Sequence, residues 1–234
     1  MHRGIVITPP FFEVGPKAYM YGRDLVDLAV HADVVGRRYH VQVVITPQCV
    51  DIALVAQAVE TALVFAQHMD SLEPGRGVGS VLPEAVKAAG ASGVLLNHVE
   101  RRLSRDELAR TIRRADEVGL ATMVCADDAR DAAAVAQLGP NVIIVEAPRM
   151  IAGGRRDDDG RQAIAAANQA VWRVNPEIRV LHGAGINSAR DVYEVIAAGA
   201  QGTGSSSAIF TASDPRAVLE AMIRSVREAW DRTH

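Results

Sequence analysis

Two polar residues that follow apolar runs are the strongest candidates for chemistry in this sequence. Glu146 follows the apolar run 142–145, and His98 follows the run 93–96 after a single Asn97. A short run of this kind is typical of a strand buried on both faces. A carboxylate and an imidazole at two strand ends can exchange protons with a bound molecule. The pair therefore predicts acid–base chemistry on a small molecule.

The segment after Glu146 could close over such a site. It contains Pro148 near its start and Gly153 and Gly154 at its end, which is typical of a loop that changes its backbone conformation. A single Glu or His near a strand end is more often a surface or structural residue than a catalyst. The hypothesis depends on both residues recurring at the same place in a repeating pattern.

The composition of the chain argues against a nucleic-acid-binding function. The chain has 234 residues, 49% hydrophobic, and a formal net charge of −3, which suits one large core and no basic nucleic-acid surface. Four Phe, four Tyr and two Trp leave few rings for base stacking. We expect no nucleic-acid partner.

Cysteine usage and hydropathy predict a cytoplasmic protein. Cys49 and Cys125 are far apart and show no metal-ligand spacing, so we expect two buried free thiols in a reducing compartment. Pro9 and Pro10 interrupt the first apolar run too early for a signal-peptide core. No run approaches the roughly 18 apolar residues of a membrane helix, so no membrane association is expected.

Strand-like and helix-like segments alternate along the whole chain. Amphipathic stretches with helix signals lie between the apolar runs, including a capping box at Ser104 and Glu107 with Gly119 at the other end. Further helices are predicted after Gly160, Ser188 and Asp214. The eight predicted strands begin near Ile5, Val41, Leu63, Val94, Ala121, Val142, Arg179 and Gly202.

Eight such units in one chain of this length predict a closed α/β barrel, (β/α)8, as a single domain over residues 1–234. The main alternative is an open doubly wound sheet. It is disfavoured because no Gly-x-Gly-x-x-Gly follows the first strand and polar residues end nearly every strand. The charged stretch 155–159 is predicted to be a solvated loop that leads into a helix.

A barrel carries its functional residues at the C-terminal ends of its strands. Polar segments follow the predicted strands here, among them Gly183-Ala184-Gly185 after strand seven and Ser205-Ser206-Ser207 after strand eight. Many barrels hold a phosphate group in these two loops. A phosphorylated small-molecule ligand is therefore expected.

Several of these segments together resemble the triosephosphate isomerase family, especially its short archaeal-type form. The resemblance covers most of the chain from about residue 41 onward. It is carried by Asn97-His98-Val99-Glu100, Val124-Cys125-Ala126-Asp127, Glu146 with its following loop, Leu181-His182-Gly183-Ala184-Gly185-Ile186, Pro47-Gln48-Cys49-Val50-Asp51, and the order of segments 66–70 and 82–85.

The resemblance implies a role for each matching residue. In that family a glutamate moves the proton, a neutral histidine polarises the carbonyl oxygens and a lysine stabilises the anion. These roles fall on Glu146, His98 and Lys17. Glu100 is implied as the carboxylate neighbour of the lysine. Other substrate-binding positions, chiefly around the phosphate, are implied at Gly15, the backbone of Ile151 and Ala152, Gly185, Ser206 and Ser207.

Four departures from the family pattern concern the substrate envelope. The family's asparagine two residues before the lysine is Gly15, and the serine after the histidine is Val99. The lid reads Ile151-Ala152-Gly153-Gly154, and the normally apolar strand eight reads Thr203-Gly204-Ser205-Ser206-Ser207. Both Gly15 and Val99 favour a larger or less polar substrate group at their positions.

The sequence and the resemblance together predict a cofactor-free aldose–ketose isomerase that interconverts glyceraldehyde 3-phosphate and dihydroxyacetone phosphate and needs no metal. The first alternative is an isomerase of another short phosphorylated sugar or related carbonyl compound. Alternatives of a different class are a Schiff-base aldolase, for which Lys17 and Lys87 are poorly placed, and a non-catalytic phosphate-ligand binding protein. The resemblance also implies a homo-oligomer, a dimer or a tetramer, assembled through the strand-three region.

Overall fold

The chain folds as a closed barrel of parallel strands surrounded by helices, in a computed structural model that describes residues 4–146 and 158–234. The strands are β1 (Phe11–Val14), β2 (Gln42–Ile45), β3 (Leu63–Ala66), β4 (Gly93–Leu96), β5 (Ala121–Ala126), β6 (Val142–Val145), β7 (Arg179–His182) and β8 (Gly202–Ser205). The helices are α1 (Gly22–Tyr39), α2 (Ile52–Ala58), α3 (Pro83–Ala88), α4 (Arg105–Val118), α5 (Ala129–Ala136), α6 (Asp158–Val174), α7 (Ala189–Ala197), α8 (Ser207–Phe210) and α9 (Pro215–Thr233).

Strand order confirms the barrel and excludes the open sheet. Each strand pairs in parallel with the next, and β1 pairs with β8 to close the ring. All strands therefore present their C-terminal ends at one rim, which is where the polar segments of the sequence lie.

The predicted helix ends are also found. The Ser104 hydroxyl accepts the backbone N–H of Glu107 at 3.2 Å, and Gly119 ends α4 in the left-handed region with φ 77°. Ser188 and Asp214 cap α7 and α9 in the same manner. Helix α6 begins at Asp158, so residues 158 and 159 belong to the helix and not to the expected loop.

The apolar residues form two layers. One cluster fills the barrel interior and includes Phe11, Val44, Phe65 and Leu181. A larger cluster lies between the strands and the helices. Because both strand faces are covered, most residues of β2 to β7 are apolar, which is why these strands were recognisable in the sequence.

The position of the first strand was predicted wrongly. The segment beginning at Ile5 is not a strand; Ile7, only 4% exposed, packs into the barrel interior cluster, and its carbonyl accepts a hydrogen bond from Arg179 Nε at 3.4 Å. The first strand is Phe11–Val14. Its inward-facing Glu13 breaks the apolar run that marks the other strands.

The closure between β1 and β8 depends on matching large residues with glycines. A Cβ atom on Gly202 would lie 2.6 Å from the Phe11 ring, and one on Gly204 would lie 2.7 Å from Glu13 Oε2. The two inward positions of β8 are therefore empty so that the two inward side chains of β1 can occupy the space.

The hydroxyl groups of β8 have structural partners. Thr203 Oγ1 donates to the His182 carbonyl at 2.7 Å, and Ser205 Oγ donates to the Ile186 carbonyl at 3.1 Å. These bonds tie β8 to the end of β7 and its following loop. The unusual composition of β8 is thus explained by packing and hydrogen bonding within the barrel wall.

Two further expectations concern exposure. Cys125 is buried as expected, but Cys49 is exposed, because it lies in a short 3-10 helix after β2 at the open rim. Among the helices that the structure describes, none is long and apolar enough to span a membrane.

The matching of β1 and β8 can be tested with Gly202→Ala. The added methyl group would overlap the Phe11 ring, and overpacking of this kind costs about 1–3 kcal/mol. Thermal or denaturant unfolding should show this loss in the unmodified background and a clearly smaller loss in a Phe11→Val background, where the ring is absent. Equal losses in the two backgrounds would contradict the proposed fit.

Candidate active site

A cavity of about 450 Å³ opens at the rim formed by the C-terminal strand ends. Its floor includes Leu95 and Ile144 from the barrel interior. The polar side chains that line it come from β1 and from the segments that follow β1, β2, β3, β4 and β6. They include three carboxylates and two basic side chains: Glu13, Glu100, Glu146, Lys17 and Arg101.

The two residues on which the sequence analysis opened face each other across this cavity. His98 Nε2 lies 3.8 Å from Glu146 Oε2, and both side chains are about one-fifth exposed. A partly exposed position lets each group reach a bound molecule while the barrel holds it in place. A proton acceptor and a hydrogen-bond donor therefore point into one space.

The loop after β4 fixes the orientation of the His98 ring. Asn97 adopts a left-handed backbone conformation with φ 61°, and its side chain donates to the Cys125 carbonyl at 3.0 Å and accepts from Leu103 N–H at 3.1 Å. The backbone N–H of Glu100 donates to His98 Nδ1 at 3.2 Å. Since Nδ1 accepts this bond, the ring proton is on Nε2, the nitrogen that faces Glu146.

Lys17 lies in a strained turn that is held by hydrogen bonds. Its φ is 47°, a left-handed conformation that costs a non-glycine residue about 1–2 kcal/mol. Gln67 stabilises the turn because its amide donates to the Lys17 carbonyl at 3.0 Å and to the Thr46 carbonyl at 2.8 Å. The Lys17 ammonium then donates to Glu100 Oε1 at 2.7 Å.

The ion pair keeps Lys17 charged. Burial works to lower the pKa of Lys17, but the hydrogen bond and charge of Glu100, with the charge of Glu146, outweigh it and raise that pKa. The same hydrogen bond lowers the pKa of Glu100. A Schiff base needs a neutral amine, so this environment disfavours the aldolase alternative. The other candidate, Lys87, is on α3 and donates to the Gly119 carbonyl at 2.7 Å.

Glu13 is a site residue that the sequence analysis did not identify. Its carboxyl faces the cavity from β1, and Thr46 Oγ1 donates to Glu13 Oε1 at 2.6 Å. A Cβ atom on Gly15 would lie 2.8 Å from the same oxygen. The Glu13 carboxyl therefore occupies the space that a side chain at position 15 would need.

Burial raises the pKa of Glu13 from 4.5 to about 7, and the negative charge of Glu146 acts in the same direction. The hydrogen bond from Thr46 and the charge of Lys17 oppose this rise without cancelling it. At neutral pH the carboxyl is therefore neutral in a large fraction of molecules.

Three of the residues expected around a phosphate group do not line this cavity. Gly185, in a left-handed conformation with φ 71°, follows β7, while Ser206 and Ser207 follow β8. None of these three is among the described residues that line the cavity. Ile151 and Ala152, with the rest of the predicted lid 148–154, lie outside the described residues.

Space beside Glu146 is also provided by a glycine. A Cβ atom on Gly183 would lie 3.2 Å from Glu146 Oε1. The glycine-rich segment after β7 thus leaves room for the glutamate as well as forming a tight turn.

Some missed residues had a recognisable signal and others had none. Gln67 and His68 are polar residues directly after β3, and both line the cavity; His68 Nε2 lies 3.1 Å from Asp70 Oδ1. Glu13 had a signal in the sequence, because it is a charged residue within the otherwise apolar segment 11–14. Arg101 had no distinguishing signal, because it is one of 23 arginines in the chain.

A closed (β/α)8 barrel with an opposed glutamate and histidine at its C-terminal rim defines the general class, a barrel enzyme equipped for proton transfer. The family model of triosephosphate isomerase matches residues 17–225, which is most of the chain. The chain belongs to the triosephosphate isomerase family and is an isomerase of that family.

Relatives from archaea agree along nearly the full length. The triosephosphate isomerase of Sulfurisphaera tokodaii is 35% identical over 229 residues, covering 97% of this chain and 99% of the relative. That of Methanosarcina mazei is 36% identical over 223 residues, covering 93% and 99%. That of Sulfolobus acidocaldarius is 33% identical over 229 residues, covering 97% and 99%. The archaeal-type resemblance inferred from the motifs is thus confirmed.

The buried carboxyl of Glu13 should make stability depend on pH. Its pKa is raised in the folded chain, so between pH 4.5 and about 7 the folded state binds more protons than the unfolded state. The free energy of unfolding therefore falls as pH rises through this range, by at most about 1.4 kcal/mol per pH unit. Glu13→Gln cannot ionise, so its melting temperature relative to the unmodified chain should be higher at pH 8 than at pH 5.

An exposed glutamate provides the control for this measurement. Glu73→Gln, in the loop after β3, should show no such gain between pH 5 and pH 8. A stability difference for Glu13→Gln that is the same at both pH values would contradict the assignment of a protonated carboxyl.

Proposed function

We propose that this chain interconverts glyceraldehyde 3-phosphate and dihydroxyacetone phosphate without a cofactor or a metal. The observation that carries the proposal is the arrangement of His98 and Glu146, in which an Nε2–H and a carboxylate oxygen lie 3.8 Å apart at the cavity. Isomerisation needs a base at carbon and a donor at oxygen of the same molecule, and these two groups supply them.

In the proposed mechanism Glu146 removes a proton from the carbon next to the carbonyl group. The C–H electron pair becomes the carbon–carbon double bond, and the carbonyl pair moves to oxygen to give an enediolate. His98 Nε2–H donates a hydrogen bond to the oxygens of this intermediate, and Lys17 stabilises their negative charge. The hydroxyl proton of the enediolate passes to the former carbonyl oxygen, with His98 Nε2 beside both oxygens, and Glu146 returns its proton to the neighbouring carbon. One proton has then moved between the carbons and one between the oxygens, so no net proton is gained or lost.

Glu100 acts as a positioning residue in this proposal. Its carboxylate holds the Lys17 ammonium at 2.7 Å, and its backbone N–H fixes the tautomer of His98. One residue thereby orients the cation and the neutral donor on which the enediolate depends.

For the phosphate group we propose Gly185, Ser206 and Ser207, with the backbone of Ile151 and Ala152, and we propose Gly15 as a substrate-binding position near Lys17. Support comes from Ser206, whose buried Oγ has no hydrogen-bond partner in the part of the chain that the structure describes. A buried hydroxyl without a partner is costly unless a ligand supplies one. Closure of segment 148–154 over the phosphate, which would exclude water from the enediolate, remains a prediction.

We also propose a cytoplasmic homo-oligomer, either a dimer or a tetramer. Two exposed valines support assembly: Val50, 81% exposed, lines the cavity, and the fully exposed Val78 lies in the loop after β3. Apolar side chains of this size gain free energy when another subunit covers them.

The role of Glu146 is tested by Glu146→Gln, which preserves shape but removes the proton acceptor. Turnover of glyceraldehyde 3-phosphate should fall by at least about 10²–10⁴-fold, the usual contribution of a positioned base. Binding of 2-phosphoglycolate, measured by calorimetry, shows whether the site is intact, and Glu60→Gln on the protein surface serves as the control. Turnover within threefold of the unmodified chain would exclude Glu146 as the base.

A second candidate is isomerisation of a larger phosphorylated sugar. It is supported by Val99, which stands beside His98 where the family has a serine and therefore offers no hydroxyl. Gly15 adds no room for a larger group, because the Glu13 carboxyl fills the space next to it. Sites built on hydrogen bonds to hydroxyl groups discriminate strongly, whereas apolar pockets discriminate weakly.

The ratio kcat/KM for glyceraldehyde 3-phosphate and for four-carbon phosphorylated ketoses separates the two candidates. We expect the triose phosphate to be preferred but to run below the diffusional ceiling of about 10⁸–10⁹ M⁻¹s⁻¹. A rate at that ceiling would show that the departures are neutral, and preference for a four-carbon substrate would favour the second candidate.

A further inference from the structure

Glu13 has no part in the mechanism above, although it lies in the same cavity. Its side chain is on the inward face of β1, two residues after Phe11, which packs in the barrel interior. Its carboxyl lines the cavity that Lys17 and Glu146 also line. Placing a carboxyl group there lowers stability at neutral pH, as argued above. A group that costs stability at a cavity wall is a candidate for function.

Neighbouring residues leave space for the Glu13 carboxyl and fix its orientation. Added Cβ atoms on Gly15 and Gly204 would lie within 2.8 Å of its oxygens, so two glycines on different segments keep its space free. Thr46, from the loop after β2, donates to Oε1 at 2.6 Å. Two empty positions and one directed hydrogen bond define both the location and the orientation of the carboxyl group.

The hydrogen-bond pattern assigns different roles to the two oxygens. Because Oε1 accepts from Thr46, a proton on the carboxyl belongs on Oε2, which can donate it in a hydrogen bond. The charged and titratable groups that face Glu13 are Lys17 after β1, Cys125 on β5 and Glu146 after β6. Burial raises the pKa of the Cys125 thiol well above its usual value, so it adds no charge near neutrality.

We propose that Glu13 is a further substrate-binding residue, whose carboxyl donates a hydrogen bond to the substrate oxygen on the Lys17 side of the cavity. The inference rests on the proposed isomerase function and deepens it. The neutral form is the competent one, because the phosphorylated substrate and the enediolate are both anionic and Glu146 already supplies one negative charge. An ionised Glu13 would repel them and would have no proton to donate.

This proposal makes ligand affinity depend on the protonation of one side chain. Below the pKa of about 7 the carboxyl assists binding. Above it, affinity should fall by up to about tenfold per pH unit, because the bound form requires a proton that the free site has lost. A glutamine at this position offers a carbonyl acceptor and an N–H donor at every pH, and a valine offers neither.

The experiment compares the unmodified chain with Glu13→Gln and Glu13→Val from pH 5.5 to 9. The dissociation constant of 2-phosphoglycolate is measured by calorimetry, and kcat and KM are measured with glyceraldehyde 3-phosphate. Titration of the free ligand is common to all three chains, so its contribution cancels in the ratios between them. Circular dichroism establishes that each variant is folded.

We expect the ratio of the two dissociation constants, unmodified to Glu13→Gln, to be constant below pH 6.5 and to rise by about tenfold per unit above pH 7. Glu13→Val should bind the ligand at least tenfold more weakly than Glu13→Gln at every pH. A constant ratio over the whole range, or a Glu13→Val chain that binds as well as Glu13→Gln, would overturn the proposal.

An infrared titration separates this proposal from the proposed function. The carbonyl band of protonated Glu13, identified as the band missing in Glu13→Gln, should disappear near pH 7 whether or not the chain turns over a triose phosphate. If this band and the binding profile are found without triose turnover, only the proposed substrate is wrong. If Glu13 is already ionised at pH 5.5 in an active enzyme, the inference about Glu13 is wrong and the isomerase function stands.

Discussion

The closure between β1 and β8 is the constraint on which the site depends. A parallel barrel closes into one continuous rim only if its first and last strands pair. Here β1 pairs with β8, and large inward side chains on β1 lie opposite glycines on β8. Phe11 and Glu13 fill the space that Gly202 and Gly204 leave empty. The backbone N–H of Gly15 then bonds to the Ser205 carbonyl at 3.2 Å, so the turn that carries Lys17 is attached to the last strand.

The geometry of the proposed site is obtained from strained turns that neighbouring parts of the barrel hold in place. Asn97 directly after β4 and Lys17, three residues after β1, both adopt left-handed backbone conformations. Gln67 from β3 bonds to the Lys17 carbonyl, and the Asn97 side chain bonds to the Cys125 carbonyl on β5. Each strained turn is thus fixed by an adjacent part of the barrel, which keeps the reacting groups oriented before a ligand binds.

The three carboxylates that line the cavity, Glu13, Glu100 and Glu146, have different electrostatic surroundings. Glu100 has a lowered pKa because Lys17 donates to it, whereas burial raises the pKa of Glu13 to about 7. Glu146 Oε2 faces His98 Nε2 at 3.8 Å. Groups of one chemical type can therefore serve as counter-ion, neutral donor and base within one cavity.

The sequence was sufficient for the parts of the fold that follow local rules. Seven of the eight strands were located: β2 to β7 are mainly apolar runs followed by polar residues, and β8, which is not apolar, continues the same strand–helix alternation. The caps at Ser104 and Gly119 follow from backbone geometry. The pairing of Glu146 with His98 was predictable from their equivalent positions at strand ends. β1 was missed because Glu13 interrupts its apolar pattern. The space that the Glu13 carboxyl occupies is left free by Gly15 and by Gly204, which is nearly 200 positions away in the sequence.

The most direct test of the account is the origin of the hydrogen that ends on carbon. The unmodified chain is incubated with dihydroxyacetone phosphate in deuterium oxide, and the products are analysed by proton NMR. Transfer through Glu146 and an enediolate predicts deuterium at carbon 2 of the aldehyde product, because the carboxyl proton exchanges with solvent during turnover. Complete conversion with no solvent deuterium on carbon would instead indicate direct hydride transfer and would contradict the role assigned to Glu146.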